Sequence, residues 1–308
     1  MKKIEIQSYS PQHYNSIKKI ILSSFSKTAY HTDEAFTEKE ANQFLWERWG
    51  EPFFKSKSPK CFSALYNNNV VGFLIYGLFP SFKKAFNLLI GNIVLLGVDK
   101  NFQNSPLKIG TNLVEHIIHF FSQSHVSLVT VGTDLDNISA MKIYQKNGFH
   151  IYLPWSTYRW YSKNHSPISV EFQKNTDIDF NTLFFPPNSF LEDNFFSDKQ
   201  KEIMRQNRVE DLKRKLKLGQ VTVLSTKQGT IFYLTEKVSS VSSILIKIAA
   251  YSGDLSYMLD CLKSHLFTET TDFIIEFFLK SNDWSTIRFL INNGFFLVHN
   301  AVTMHRKL

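Results

Sequence analysis

The first half of the chain alternates apolar and polar positions in the pattern of a mixed α/β domain. A strand is predicted over residues 3–9, and a helix follows over 11–25, where apolar residues recur three and four positions apart. Further helices are predicted over residues 38–49, 109–121 and 137–147. The other strands are predicted over residues 61–66, 70–78, 88–98, 126–133, 149–152 and 156–160. The continuous apolar run at 88–98 is typical of a strand buried on both faces.

The second half repeats this order of elements. A strand starts at Val170, and the later strands are predicted over residues 221–225, 231–235, 244–251, 272–279, 295–298 and 302–306. Helices are predicted over residues 198–217, 255–267 and 283–292. Residues 140–149 align without a gap with residues 286–295, and both segments end in Asn-Gly-Phe. A Ser- and Pro-containing segment at 162–167 separates the halves. The sequence therefore predicts two domains of one fold, residues 1–162 and 168–308.

Composition excludes several classes of protein. Apolar residues make up 43% of the 308 residues and charged residues 20%, which is the composition of a folded chain rather than a disordered one. No apolar run reaches the roughly 18–20 residues that a membrane span needs, and no apolar signal-peptide core follows the basic N-terminus. Cys61 and Cys261 are too few for a disulfide framework. We expect a cytoplasmic protein with no membrane partner and no metal site.

Positive charge is concentrated in the first half. Residues 1–165 hold 18 Lys and Arg against 11 Asp and Glu, and the net charge of the whole chain is +8. This balance suits a polyanionic ligand, either a nucleic acid or a phosphorylated cofactor. Because no basic and aromatic nucleic-acid motif accompanies the charge, no nucleic-acid partner is expected. The Lys-Arg-Lys run at 213–215 lies among acidic residues and is predicted to be a solvated helix face.

One strand–loop–helix connection suits phosphate binding. The strand ending at Val98 leads through a polar loop into a helix that begins near residues 109–111. The first turn of a helix has free backbone N–H groups and the positive end of the helix dipole. Gly110 would let a ligand approach the backbone closely, and Gln103 and Lys108 could add donors. The alternative is an ordinary connection between a strand and a helix.

A second motif, Asn137-x-x-Ala140-x-x-x-Tyr144-x-Lys146-x-Gly148-Phe149, follows a buried strand. It resembles the closing motif of the GNAT acetyltransferases. Residues 98–104 look like the start of that family's V-x-P-x-x-Q/R-x-x-G-x-G/A motif, and the element order of the first half is that of the family. The resemblance implies an α/β (α+β) fold of two GNAT-like domains. Each would be a mixed, mostly antiparallel sheet with splayed central strands and flanking helices.

The loop between the two motifs departs from the family pattern. Lys100 replaces the usual Pro, and the first motif glycine is missing. Two extra residues precede Gly110, and Pro106 has no N–H to donate to a ligand. The contacts to a pyrophosphate are therefore expected to differ from those of the family.

The resemblance implies an acetyl-CoA site and the transfer of an acetyl group to a primary amine. The cofactor would lie between strands 88–98 and 126–133, where the amine would attack the thioester carbon directly. Tyr144 matches the family's general acid, which would protonate the leaving thiolate; the alternative is a buried helix aromatic. The residues implied to bind the cofactor are Leu96, Val98, Gln103, Asn104, Lys108, Ile109, Gly110, Thr111, Asn137, Ala140 and Tyr144.

The sequence leaves the general base open. Strand 92–98 carries no Glu or Asp, although many members of the family have an acid there. Asp134 and Asp136 at the end of the next strand, His31 and an ordered water are the alternatives. An Asp placed before a helix is more often a simple helix cap.

The second half lacks the cofactor features. Asp254 stands at the start of its corresponding helix, where a carboxylate would repel a phosphate, and Leu290 replaces Tyr144. We therefore expect acetyl transfer in the first domain alone. The acceptor could be a small metabolite, an amino sugar or a protein amine. The alternative function is a catalytically silent acyl-CoA-binding sensor or scaffold.

Overall fold

The chain divides into two compact units. The computed structural model describes residues 4–24, 37–56, 60–79, 88–167, 170, 177–185, 197–237 and 243–308. Met1–Pro154 and Ala301–Leu308 make up the first unit, and Trp155–Asn300 makes up the second. The end of the chain therefore belongs with its first half, whereas the sequence predicts a single boundary near residues 162–168.

The elements of the first unit follow the predicted order. They are β1 (Glu5–Ser8), α1 (Tyr14–Ser24), α2 (Glu38–Leu45), α3 (Glu51–Phe54), β2 (Cys61–Tyr66), β3 (Asn69–Phe79), β4 (Ile90–Val98), α4 (Ile109–Gln123), β5 (Leu128–Asp134) and α5 (Ile138–Lys146). A 3-10 turn at Pro11–His13 precedes α1, and a π-helical turn at Trp46–Gly50 joins α2 to α3. The Thr37 side chain caps α2 by accepting a hydrogen bond from the N–H of Glu40.

The sheet of the first unit is mixed and mostly antiparallel. Within the described residues its strand order is β1-β2-β3-β4-β5-β11, where β11 is Phe296–Lys307. Only β4 and β5 are parallel neighbours there. β2 and β3 join in a tight hairpin at Asn67 and Asn68, whose φ angles are 51° and 64°. Left-handed residues at both positions are what a two-residue hairpin turn requires, so the hairpin predicted at this Asn run is confirmed.

Two clusters of apolar side chains cover the two faces of this sheet. Leu74 of β3 belongs to a cluster with α4, α5, β5 and β11, in which Met304 is fully buried. Its neighbours Phe73 and Ile75 belong to a second cluster with α1 and Trp46. This alternation is the two-residue period of a strand, and it places α4 and α5 on one face and α1 on the other.

The second unit has the same kind of sheet. Its elements are β6 (His150–Tyr161, of which residues 155–161 lie in this unit), α6 (Asp198–Lys217), β7 (Thr222–Thr226), β8 (Gly229–Lys237), β9 (Ile244–Gly253), α7 (Leu255–Glu269), β10 (Phe273–Lys280) and α8 (Trp284–Asn292). The strand order is β6-β10-β9-β8-β7, with β9 and β10 parallel and the other neighbours antiparallel.

Each unit completes its sheet with a strand that the sequence assigns to the other half. Residues 301–307 of β11 pair antiparallel with β5, and residues 155–161 of β6 pair antiparallel with β10. In the strand order of both units, a hairpin lies on one side of the parallel pair and the exchanged strand lies on the other. This exchange is why the division of the chain lies at residues 154 and 300 and not in the Ser- and Pro-containing segment.

The exchanged strand of the second unit carries a buried ion pair. Arg159 lies directly opposite Glu276 on β10, and both side chains are about 1% exposed. Nε of Arg159 donates to Oε2 of Glu276 at 2.9 Å, and Nη2 donates to the same oxygen at 2.6 Å. Removing one partner of such a pair leaves a buried charge uncompensated, which is more costly than the pair itself is stabilising.

Two predicted breaks within strands are wrong. β6 and β11 are each one continuous strand of 12 residues, where the sequence predicts two short strands. Pro154 does not end β6, because the fixed φ of proline lies within the extended region and costs only one ladder hydrogen bond. Asn300 does not form a turn in β11; its Oδ1 accepts a hydrogen bond from Ser156 Oγ at 2.7 Å. Val170 is not in a strand, and most of the strand predicted to start there lies outside the described residues.

No helix in the described ranges is long and apolar enough to cross a membrane. The longest of them, α6, is strongly charged along its length. The three cations of the run 213–215 pair within the helix: Lys213 with Glu210, and both Arg214 and Lys215 with Asp211. The run 213–215 is therefore a solvated, largely neutralised helix face, as predicted.

We predict that Met304→Ala destabilises the first unit by about 2–5 kcal/mol, because it opens a cavity under the exchanged strand. Urea unfolding followed by tryptophan fluorescence measures this loss. Leu297→Ala on the same strand is the control, since Leu297 is 48% exposed and its truncation should cost less than about 0.5 kcal/mol. Equal losses for the two variants would contradict a structural role for residues 301–307.

Candidate functional site

The parallel strands β4 and β5 separate halfway along their length. Their pairing covers residues 90–93 of β4 and 128–131 of β5. Beyond that point β4 continues to Val98 along β3, and β5 continues to Asp134 along β11, and no ladder joins β4 to β5 among these described residues. A bulge at Val94 accompanies the separation, since Leu95 and Ile93 lie opposite the consecutive residues Ile75 and Tyr76. Bulges bend a strand, so a cleft opens between the carboxyl ends of β4 and β5.

The helix after β4 begins without a side-chain cap. Lys108, the residue before α4, has a φ of 50° and its side chain makes no capping hydrogen bond. The N–H groups of Ile109, Gly110 and Thr111 donate to no acceptor within the described chain. Unsatisfied N–H groups at the positive end of a helix dipole form an anion site. This site lies where the strand ladder ends.

Polar side chains hold the loop that enters α4. Asp99 accepts a hydrogen bond from the N–H of Asn101 at 2.9 Å, and Asn112 donates to the carbonyl of Leu107 at 3.0 Å. Gln103 donates its side-chain amide to the carbonyl of Val98 at 3.0 Å. Gln103, predicted to add a ligand donor, thus also closes the loop onto the end of β4. Asn104 is exposed and left-handed, with a φ of 56°.

Glycines let the first turn of α4 lie close to its neighbours. A Cβ on Gly72 of β3 would lie 2.7 Å from Cγ2 of Ile109, and one on Gly110 would lie 3.1 Å from Cδ1 of Ile143 in α5. Both distances are shorter than ordinary van der Waals contact. The sequence shows Gly110 as part of a motif, but nothing in the sequence near Gly72 connects it to a helix start 37 residues later.

Helix α5 brings Tyr144 into the same cluster as the start of α4. The Asn137 side chain caps α5 by accepting from the N–H of Ala140 at 3.1 Å. Tyr144 is 4% exposed and packs against Phe149, with ring centroids 5.7 Å apart. Burial raises the pKa of the Tyr144 phenol well above its usual value. Its hydroxyl makes no hydrogen bond to a described residue, although a buried tyrosine hydroxyl usually has a partner.

Asp134 ends β5 beside the cleft. Burial, followed by the negative charge of Asp136, raises the pKa of the Asp134 carboxyl to about 7. Gly132 lies two residues earlier on the same face of the strand, and a Cβ there would meet nothing within 4 Å. A carboxyl with a pKa near neutrality therefore borders open space. His31, the third candidate base, lies outside the described residues.

The predicted cofactor residues fall into two groups in space. Those on the end of β4, the start of α4 and α5 share one apolar cluster, namely Leu96, Val98, Ile109, Ala140 and Tyr144. The loop residues Gln103, Asn104 and Lys108 are exposed, while Gly110 and Thr111 complete the first turn of α4. The sequence did not reveal the bulge at Val94. It also did not reveal that β11 pairs with β5, because the two strands are far apart along the chain.

The second unit has the opposite arrangement at the corresponding place. Asp254 is the single residue between β9 and α7, and its side chain accepts from the N–H of Tyr257 at 3.1 Å. A carboxylate therefore occupies the helix start that is open in the first unit. Leu290, which stands where the first unit has Tyr144, is fully buried. At this place the described residues of the second unit provide neither an uncapped helix start nor a phenol.

Comparisons with known proteins agree on one family for the first unit. Residues 16–149 match the model of the acetyltransferase (GNAT) family. N-alpha-acetyltransferase 30 from human and from mouse is 34% identical to this chain over 89 residues, which is 29% of this chain and 23% of either relative. The match thus spans less than a quarter of those relatives. The first unit is therefore similar to GNAT acetyltransferases over residues 16–149.

Solved structures share the fold of the whole chain. A GCN5-related glucosamine N-acetyltransferase region of a fungal GH3 beta-N-acetylglucosaminidase superposes with a TM-score of 0.61 at 10% identity, over 99% of this chain and 38% of that one. An acetyltransferase candidate from Thermoplasma acidophilum has a TM-score of 0.56 at 12% identity, over 99% of this chain and 100% of that one. Identities this low show the fold alone, and the predicted fold class is confirmed.

We predict that Gly72→Ala lowers the stability of the first unit by about 1–3 kcal/mol, because the new methyl group overpacks against Ile109 and moves the start of α4. Gly132→Ala is the matched control: the same substitution on a neighbouring part of the sheet meets open space. Thermal unfolding compares the two variants. A Gly72→Ala variant as stable as Gly132→Ala would show that α4 does not depend on this close approach.

Proposed function

We propose that the GNAT-like domain of residues 16–149 transfers an acetyl group from acetyl-CoA to a primary amine. The observation that carries this proposal is the uncapped start of α4 at the point where β4 and β5 separate. An acyl thioester needs both features: donors for its diphosphate and unpaired strand edges along its pantetheine arm.

The residues present fit the cofactor. The three free N–H groups of residues 109–111 and the Lys108 ammonium would hold the diphosphate through hydrogen bonds and charge. The backbone of Leu96 and Val98, beyond the end of the ladder, would bond the pantetheine amides. Because Pro106 provides no N–H, we expect fewer loop contacts than the family's glycine loop makes. Acetyl-CoA supplies an activated acyl group with a thiolate as leaving group.

Tyr144 has the role of general acid in the proposed reaction. The amine nitrogen forms a bond to the acetyl carbon, the carbon–sulfur bond breaks, and the sulfur takes a proton from the Tyr144 hydroxyl. The raised pKa of this phenol keeps it protonated at neutral pH. Its hydroxyl has no partner within the described protein, so it can serve a ligand without breaking a structural hydrogen bond.

We assign Asp134 as the general base. An ammonium must lose a proton before its nitrogen can attack, and a base works best when its pKa lies near the working pH. The pKa of Asp134, about 7, meets that condition. Asp134 also lies at the carboxyl end of β5, beside the open space at Gly132.

For the acceptor we propose the α-amino group of a peptide or protein. Support comes from the sequence identity to N-alpha-acetyltransferase 30, although the match covers only part of either chain. The likeness to a glucosamine N-acetyltransferase region supports the fold but not an amino-sugar acceptor, because only 10% of the residues are identical. An open cleft also suits an extended peptide better than a closed pocket would.

We further propose that the second unit is a degenerate copy of the same fold that performs no transfer. The order of its strands and the alignment of residues 286–295 with 140–149 support a tandem repeat. Its helix start is already neutralised by Asp254. The remaining alternative is that neither unit is catalytic and that the first one binds acyl-CoA as a sensor.

Release of coenzyme A with a panel of amines separates these functions. The panel contains peptides with a free N-terminus, the same peptides with a blocked N-terminus and a lysine, and glucosamine. Turnover with free N-termini alone supports the proposed acceptor. Tight binding of acetyl-CoA by calorimetry, with no turnover of any amine, would establish the sensor instead.

We predict that Tyr144→Phe lowers kcat about 10²–10⁴-fold and changes the Kd for acetyl-CoA by less than about threefold, because only the proton donor is lost. Phe keeps the ring that packs on Phe149. Stopped assays of turnover and calorimetry with acetyl-CoA measure the two quantities. Unchanged kcat in this variant would remove Tyr144 from the mechanism.

We predict that kcat/KM of the parent rises with pH through about 7, because the Asp134 carboxyl must lose its proton to accept another. Asp134→Asn should lower the plateau and abolish this inflection. Asp136→Asn is the matched control: it removes the charge that helps to raise the pKa of Asp134, so the inflection should move to lower pH while the plateau remains. An inflection that neither substitution moves belongs to another group.

A further inference from the structure

We propose that a second pocket in the first unit, independent of the acetyl-transfer site, binds a phosphate-bearing anion. The pocket, called here the basic pocket, has a volume of about 660 Å³. Its lining consists of Lys146, Asn147, Gly148, His150, His305, Arg306 and Lys307. Cavities of roughly 300–1,000 Å³ are the size that small-molecule ligands fill.

The charge of the basic pocket is concentrated and one-sided. Its lining includes two Lys, one Arg and two His, and no Asp or Glu. Neither Lys146 nor Arg306 forms an ion pair with a carboxylate of the described chain. In α6, by contrast, Lys213, Arg214 and Lys215 pair with acidic residues of the same helix. Cations that converge in a concave site focus a positive potential there.

The guanidinium of Arg306 is held in place at this pocket. Its Nη1 donates to the carbonyl of Asn147 at 2.5 Å, at the end of α5. Gly148 adopts a φ of 76°, and a Cβ there would lie 3.7 Å from Nε of Arg306. A guanidinium has five N–H donors, so the bond to Asn147 leaves donors for a ligand. Arg positioned in this way binds phosphate through paired hydrogen bonds.

The imidazole of His305 lies in the same positive field. Burial lowers the pKa of the His305 imidazole, and the charges of His150 and Lys307 lower it further. Both of these neighbours are cationic or become so on protonation. An anion bound among them would relieve that repulsion.

The basic pocket lies at the other end of the sheet from the acetyl-transfer site. Lys307 is opposite Leu128, the first residue of β5, whereas the cleft opens beyond Val131 and Asp134 ends the strand. A strand of this length spans about 20 Å. One ligand diphosphate cannot occupy both the start of α4 and the basic pocket.

The test is calorimetric titration with inorganic triphosphate, in the presence of saturating coenzyme A so that the start of α4 is filled. A parallel titration uses a short single-stranded oligonucleotide, since its backbone offers the same phosphate chemistry. We expect Lys146→Gln to weaken binding about tenfold through the loss of one charge contact. Lys142→Gln is the matched control, because Lys142 is exposed on the same helix and outside the pocket.

Arg306→Gln, checked for folding by its thermal unfolding, should weaken binding more than Lys146→Gln, since it removes the planar donor group. Weaker binding by Lys146→Gln and Arg306→Gln, but not by Lys142→Gln, supports the site. The probe that binds more tightly, triphosphate or the oligonucleotide, identifies the source of the phosphate. Absence of binding by both probes at low salt, or equal loss in all three variants, overturns it. Because triphosphate binding is read without any amine or turnover, failure of the acetyl-transfer proposal would leave this result unaffected.

Discussion

The site depends on a single constraint: β4 and β5 must stop pairing before they end. Up to Ile93 and Val131 they form a normal parallel ladder, and beyond these residues each strand keeps only its outer neighbour. Unpaired strand edges are costly when buried, so this separation suits a ligand that supplies the missing hydrogen bonds. The bulge at Val94 accompanies the separation, and Gly72 lets the start of α4 lie close to β3.

The exchanged strands tie this site to the end of the chain. β5 has β11 as its outer neighbour, and β11 is synthesised only after the whole second half. The first unit therefore cannot complete its sheet, or bury Val302 and Met304, until the last residues are present. Contacts between residues so distant along the chain carry a large loop-closure cost before they stabilise anything. We expect folding of the two units to be coupled for this reason.

The fold, and not the number of charged residues in each half, determines where positive charge is concentrated. The excess of Lys and Arg in the first half suggested one polyanionic ligand. In the fold, the uncapped first turn of α4 and the basic pocket lie at opposite ends of β5, while the equally basic run in α6 is neutralised by its own helix. The attraction of an anion depends on how closely several cations converge and on whether carboxylates pair with them. A count of charged residues in the sequence gives neither property.

Local sequence patterns determined much of the secondary structure: the order of elements, the hairpin at Asn67 and Asn68, the Asn137 cap of α5 and the loop that precedes α4. Each depends on residues within a few positions of one another. The sequence left the general base open and put strand breaks at Pro154 and Asn300 that do not exist. Only the tertiary structure decided that β11 completes the first sheet, that burial raises the pKa of Asp134 and that His305, Arg306 and Lys146 converge. Those outcomes depend on burial and on contacts between distant residues, which periodicity and spacing do not contain.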